Sequence, residues 1–398
     1  MKKLRVLCLD IEGGYGGSSR SLFESVKAIS ERQDNVEIEV WCKKKGPIQE
    51  RYARLNVKTE VHPLLPKITS VERPSRNLFQ YLMFGCDTIR AGEFLRRLEK
   101  AAQSFDIIHL NHESLHHLAK WLGKRTRAGI SMHIRTQPPV SLFSRLQAKR
   151  VDACVDRLVY ITENEQRHWS NLNPEIKQGT VIYNIVRPPE NLSPLPSIRD
   201  GFLRVCCVSN YSWMRGLDRL VEIAVELKRQ NNPSVRFTVA GNMSLSNSLP
   251  GLLGEISRKG GDLSDYAKAM GVEAYFDFPG HIPDPEQILR NSHILIKPTR
   301  EANPWGRDIL EALQYGRPAI SFGTYDKFIE TGKTGFLFED FDAKELADLL
   351  TGLQNDEQRL SSLSRTAATR IEKLCNSEKQ GRKLLEVWKE LAAGKCVR

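Results

Sequence analysis

Lys297 to Leu313 reads KPTREANPWGRDILEAL, the densest set of chemically capable residues in this 398-residue chain. An apolar stretch ends at Pro298. Asn303 suits a helix N-cap and Pro304 the first helical position, with the helix running on to Gly316. Backbone N–H groups near Trp305, Gly306 and Arg307 would then form an anion site. Glu311, two turns along, could accept hydrogen bonds from a ribose diol. A capped core helix is the plainer alternative.

Four other stretches could carry chemistry. Gly13-Gly14-Tyr15-Gly16-Gly17-Ser18 follows a first apolar run and precedes a helical pattern, so its amides could approach an anion. Its spacing is not G-x-G-x-x-G, and Lys43-Lys44-Lys45 stand where a ribose-binding acid would end the second strand, which argues against a dinucleotide site. His112-Glu113-Ser114-Leu115-His116 is a literal H-E-x-x-H, but it follows the strand-like DIIHL at a helix start and shows no third ligand. Polar residues at a strand end are the better reading than zinc. In Met132-His133-Ile134-Arg135-Thr136, His133 or Arg135 could reach a phosphate or hydroxyl, or His133 could be a satisfied structural residue. In SNYSWMRG (209–216), Arg215 lies where strand gives way to helix and could neutralise a diphosphate.

The elements that must position these residues alternate between apolar β-branched runs and helical patterns, which argues for α/β architecture with parallel sheets. Strands are expected at 4–10, 37–42, 106–111, 129–134, 157–162 and 180–183. In the second half they are expected at 203–209, 235–240, 274–278, 293–297 and 318–321. Helical patterns include 20–31, 217–230, 286–291, 307–315 and 343–354. LRVCCVS at 203–209 echoes LRVLCLD at 4–10, each leading into a glycine-containing loop and a helix. The expectation is two Rossmann-like, doubly wound domains facing across a cleft. The first covers 1–188, 189–201 is a proline-rich linker, and 202–376 forms the second, with a last helix, 377–393, crossing back onto the first.

Charge is one-sided. Of the net +11, the first 200 residues carry +10, with 32 basic against 22 acidic, while the remainder holds 27 against 26. That favours an anionic partner for the first domain. A basic stretch at 76–97 interleaves Phe79, Tyr81, Leu82, Phe84, Phe94 and Leu95 with Arg76, Arg90, Arg96 and Arg97. It reads either as a membrane-surface helix or as packing onto the first sheet. No apolar run approaches a membrane span, and Lys2-Lys3 with the short run to Leu9 reads as a strand rather than a signal peptide. Eight scattered cysteines without a C-x-x-C pair suit buried thiols in a reducing cytosol.

Together these residues resemble the GT-B glycosyltransferases, specifically the retaining group called family 4. The resemblance is strongest over about 203–375, through Arg215, FPGHI at 278–282, the 297–318 segment and TGKTGFLF at 331–338. It implies a sugar transferred from a nucleoside diphosphate-sugar, with retained anomeric configuration, to an acceptor; the one-sided charge and the 76–97 stretch point to a glycan or lipid-linked acceptor of a surface polysaccharide. Glu311 matches the second acid of the family's E-x7-E and is implied to bind ribose. Asn303 stands at the first acid, beside the donor sugar, and Asn210 stands where an arginine is usual. Arg215 matches the family's lysine, and Trp305, Gly306 and Arg307 lie along the diphosphate. His281 and Ile282 match the turn at the base, Gly16 and Gly17 the loop near the β-phosphate, and His133 the first domain's active-site histidine.

The resemblance implies no metal and no cofactor beyond the donor itself. The cysteines suggest a cytoplasmic location, and the one-sided charge with the 76–97 stretch suggests peripheral contact with the anionic inner face of a membrane. Nucleic acid is not expected, because no binding module accompanies the charge. Competing readings are a non-catalytic sugar-nucleotide-binding homologue, a sugar-nucleotide 2-epimerase and a zinc peptidase.

Overall fold

The computed structural model describes residues 3–14, 16–32, 35–68, 74–189, 194–198, 201–282, 284–301 and 303–395, the side chains of 74–81 and of Lys395 excepted. Tyr15 of the glycine loop, Ala302, and 190–193 and 199–200 of the linker lie outside that set, as do the side chains of Arg76, Phe79 and Tyr81. The chain divides into two compact units, Met1–Ile185 with Cys375–Arg398, and Val186–Leu374.

The first unit is a seven-stranded parallel sheet. Its strands are β1 (Leu4–Asp10), β2 (Val36–Cys42), β3 (Lys58–Val61), β4 (Ile107–Leu110), β5 (Gly129–Ile134), β6 (Arg157–Tyr160) and β7 (Thr180–Val181). They lie in the order β3-β2-β1-β4-β5-β6-β7. Central strands such as GISMHI are buried at every position, as a sheet covered on both faces requires. Leu7, Leu9, Ile108, Leu110 and Met132 pack beneath the helices Gly92–Ala102, His116–Leu122 and Leu142–Cys154. On the other face Val6, Cys8 and Val40 meet the helix Gly17–Glu31 and the last helix, Ser377–Lys395, through Leu384, Trp388 and Leu391. Gly129 lets that last helix close down, since a Cβ there would fall 2.4 Å from the Leu391 side chain.

The second unit is a six-stranded parallel sheet ordered β10-β9-β8-β11-β12-β13. Its strands are β8 (Leu203–Val208), β9 (Val235–Ala240), β10 (Phe276–Gly280), β11 (Ile294–Ile296), β12 (Ala319–Phe322) and β13 (Gly335–Phe338). The incoming chain is strapped to this unit. Buried Arg317 donates to the carbonyls of Pro194 and Leu289, and His293 Nε2 lies 3.0 Å from the Pro196 carbonyl. In each sheet the direction of winding reverses once, between β1 and β4 and between β8 and β11. Ligands of doubly wound sheets bind beyond the strand carboxyl ends at that reversal.

One expectation from sequence needs correction, and one reading left open is decided for part of its length. The helix after β11 begins at Arg307, not Pro304, with Gly306 at φ 139° as its N-cap. Asn303 does not cap it, because its side-chain amide donates to Glu301 Oε2 at 2.5 Å. The stretch 76–97 is not one surface helix. Phe94 and Leu95 are buried against the first sheet, and Phe84 sets its ring edge-on to His117 at 4.5 Å. No helix among the described residues is long and apolar enough to cross a membrane.

Candidate functional site

At the reversal in the second sheet, two loops are laced together. The first leaves β8, makes a single turn of 3-10 helix at Trp213–Arg215 capped by the Ser212 hydroxyl, and turns out through Gly216 at φ 67°. The second leaves β11 at Lys297 and runs to Gly306. Arg300 N donates to Met214 O at 2.8 Å, and Thr299 Oγ1 to the same carbonyl at 3.2 Å. Gly216 lies so close to the second loop that a Cβ would sit 2.1 Å from the Pro298 carbonyl oxygen.

Cations crowd these loops, and each is held in place. Arg215 is exposed, its Nη1 3.0 Å from Ser209 Oγ. Arg300 forms a forked ion pair with buried Asp218 at 2.9 and 2.5 Å, and its guanidinium stacks 3.6 Å over the Trp213 ring. Burial works against its charge, but the hydrogen bond and charge of Asp218 outweigh that and raise its pKa. Lys297 Nζ donates to the carbonyls of Asn303 and Trp305 at 3.2 and 2.5 Å, which sets the path of the loop into the helix. Arg219 donates to Thr299 O at 2.9 Å and lies over the Phe341 ring. Sequence reasoning passed over Lys297, Arg219 and Arg300, because their roles are to hold backbone carbonyls and a distant carboxylate, which no spacing rule reveals.

The helix Arg307–Gln314 supplies the other half of this site. Arg307 and Glu311 are one turn apart on its surface and hydrogen-bonded to each other. Trp305 is buried edge-on to Tyr325, so that stretch can offer its backbone rather than its ring. The Oδ1 of Asn303 is buried and accepts no hydrogen bond among the described residues. At the end of β10, His281 is exposed and Ile282 half-buried, beyond Gly280 at φ 76°. Asn210 is occupied structurally, its Oδ1 accepting from the Asn242 amide at 2.8 Å.

In the first unit the reversal lies between Asp10 and Asn111. Buried Asp10 accepts from Ser19 Oγ at 2.5 Å and from Asn111 Nδ2 at 3.0 Å, and burial raises its pKa. Asn111 in turn accepts from Arg135, at 2.7 Å through its carbonyl and 2.6 Å through its side chain. A continuous hydrogen-bonded chain thus runs from the start of the helix Gly17–Glu31 to the half-buried guanidinium at the carboxyl end of β5. Gly16 is that helix's N-cap, with no side-chain cap. Gly13 permits the loop to touch the backbone at Lys44, where a Cβ would overlap the carbonyl.

His133 stands one residue before the carboxyl end of β5, but its side chain is buried. It lies within β5, 3% exposed, its Nδ1 3.0 Å from His109 Nε2. His109 Nδ1 accepts from Trp388 Nε1 at 3.4 Å and lies 2.9 Å from Ser131 Oγ. An indole can only donate, so the His109 proton belongs on Nε2, facing His133. Burial, reinforced by the Arg135 charge, pulls both imidazoles down, His109 to about 3 and His133 well below the ordinary histidine value. The H-E-x-x-H residues are likewise consumed by structure. His112 caps a 3-10 turn, Glu113 binds the Arg135 amide and the Thr136 hydroxyl, and His116 Nδ1 faces the Glu113 carbonyl. No group of three or more His, Cys, Asp or Glu among the described residues could hold a metal ion.

No curated protein sequence matches the chain. Solved structures do. HepE of Anabaena in complex with UDP-glucose is 17% identical, covering 97% of this chain and 100% of its own, at a TM-score of 0.72. The sucrose-phosphate synthase of Thermosynechococcus elongatus is 15% identical over 98% and 100%, at 0.70. A TarM variant of S. aureus in complex with fondaparinux, α-GlcNAc-glycerol and UDP is 13% identical over 98% and 100%, at 0.68. The chain therefore has the GT-B glycosyltransferase fold, two Rossmann-like domains, and its residues 193–370, nearly all of the second unit, match the family described as Glycosyl transferases group 1.

Proposed function

We propose that the protein is a glycosyltransferase that moves a sugar from a nucleoside diphosphate-sugar to a glycan or lipid-linked acceptor, with retention at the anomeric carbon. The observation that carries this reading is the placement of Arg215 on the loop after β8, and of Arg307 at the first position of the helix after β11, at the reversal of the second sheet. There a diphosphate would meet two guanidinium groups and the amides after Gly306. Glu311 would take the ribose hydroxyls, and the turn at His281 and Ile282 the base. Asn303, with a buried acceptor to spare, would take a hydroxyl of the donor sugar. Such groups stabilise a departing diphosphate as an oxocarbenium-like centre forms.

On the first unit, Gly16 and Gly17 would approach the β-phosphate. The burial of His133 favours Arg135 as the residue of that strand that reaches substrate. A lipid-linked acceptor would place the work on the cytoplasmic face of an anionic membrane.

UDP- and GDP-sugars should be titrated calorimetrically, then incubated with and without a lipid-linked acceptor while diphosphate release is followed. Binding with acceptor-dependent release is expected. Binding without release under any condition favours a sugar-nucleotide-binding homologue, a reading supported by the Asn303–Glu301 hydrogen bond. No binding of any nucleotide rejects both.

A further inference from the structure

Four exposed large apolar side chains fall within seven residues. Val140, Leu142, Phe143 and Leu146 are 63, 70, 39 and 51% exposed. They are not on a fraying end. Ser141 and Ser144 form a reciprocal capping box that fixes the start of the helix Leu142–Cys154. That helix buries Ser144, Gln147, Ala148 and Val151 against the first unit, so the opposite face presents Leu142 and Leu146 rigidly. Arg145, Lys149 and Arg150 are exposed on the same side. The helix's single acid, Asp152, is turned to the backbone of Lys177 at 2.8 Å.

A second exposed apolar set lies on a helix linked to this one through intervening side chains. Gln147 reaches to within 3.4 Å of His116, and His117 beside it holds Phe84 of the helix Pro74–Arg90. Leu82, Met83 and Ile89 of that helix are exposed in their turn. The apolar tip of the first helix follows the carboxyl end of β5, the end that also carries Arg135.

We propose that this face docks on an anionic lipid surface, with Leu142, Phe143 and Leu146 entering the headgroup–acyl boundary and Arg145, Lys149 and Arg150 lying on the phosphates. From Val140 to Arg150 the apolar residues are flanked by cations with no acid between them, which complements such a surface. A second copy of the chain is the poorer occupant. A two-fold contact would set the patch against itself and bring its cations together. The docking stands on the surface alone, while its purpose, holding the enzyme at a lipid-linked acceptor, rests on the transferase reading.

The test is flotation of the full chain with vesicles of phosphatidylcholine, alone or mixed with phosphatidylglycerol, at low and high salt. Nucleotide titration is run on the same samples to judge the donor site separately. The wild type should float with the mixed vesicles only and be released by salt. The double variant L142D/L146D should lose about tenfold or more in partitioning through lost apolar insertion. R145E/K149E should lose about 20-fold or more, at roughly fivefold or more per reversed cation. Both should melt as the wild type does, since all four side chains are exposed. Wild-type protein that stays unbound at low salt, or variants that float as the wild type does, would overturn the proposal. So would a dimer in solution that L142D/L146D dissolves, because the patch would then be a self-interface.

Discussion

Arg307 and Glu311 share a single oxygen. Arg307 Nε and Nη2 lie 3.0 and 2.9 Å from Glu311 Oε1, and both side chains are only 11% exposed. The pair fixes the guanidinium against the carboxylate. Removing either partner costs a charge-assisted hydrogen bond. Arg307→Met should weaken nucleoside diphosphate binding by roughly 1.5–3 kcal/mol, about ten- to a hundredfold. Glu311→Gln keeps the shape and should weaken a ribonucleotide more than its 2′-deoxy analogue. Equal losses for the two would remove Glu311 from the ribose. Calorimetric titration with UDP and dUDP separates these outcomes.

Acid should unfold the first unit early. In the folded chain His109 and His133 hold their neutral forms to far lower pH than a free imidazole, and burial also lowers His116 to about 4 and His117 to about 3. The unfolded chain therefore binds more protons at any pH between about 6.5 and those lowered values, so stability falls as pH drops through that window. Asp10, whose pKa is raised, acts in the opposite sense but is one group against several. Denaturant midpoints measured from pH 7.5 to 5 should decline steadily, and His109→Gln should flatten the slope. A flat profile in the wild type would show that water reaches these rings.

Gly216→Ala tests the lacing of the two loops. An alanine in the left-handed region costs about 1–2 kcal/mol by itself. Here its Cβ would also meet the Pro298 carbonyl, which cannot swing away as a side chain can. The loop carrying Arg215 should shift, and nucleotide affinity should fall more than the melting temperature does. Gly201, at φ 83° with open space around it, is the control that should lose stability only.

Trp388 is fully buried and touches His109 edge-on at 5.4 Å. Trp388→Ala should cost roughly 3–5 kcal/mol. The loss should appear in amide exchange of β1, β4 and β5 while β8 to β13 stay protected, which hydrogen exchange read by mass spectrometry would resolve.

Both sheets were legible because their strands are rich in β-branched and apolar residues, alternating in VRFTVA at β9 and running together in VLCL of β1. β3 and β13 escaped notice for opposite reasons. KTEV is a polar edge strand with little to bury, and GFLF is too short to show a period. At the site, Arg215, Arg307 and Glu311 stood out because helix and loop positions are spaced regularly in sequence. The depth of His133 did not, since a buried histidine near a strand end and an exposed one look alike until a partner such as His109 is placed beside it. The exposed tip at Val140–Leu146 was hidden for a similar reason. Leucines at helical spacing suggest a buried face, and only the capping at Ser141 and the burial of Ser144 and Gln147 turn that face outward.

Because the last helix belongs to the first unit, the two halves cannot mature in the order they are made. Residues 186–374 are one unbroken run and can close their core as soon as they are synthesised. The sheet begun at Leu4 must wait, with Val6, Cys8 and Gly129 uncovered, until Leu384 to Leu391 arrive. Nascent chains arrested before residue 377 should therefore hold a folded second half beside a protease-sensitive first half.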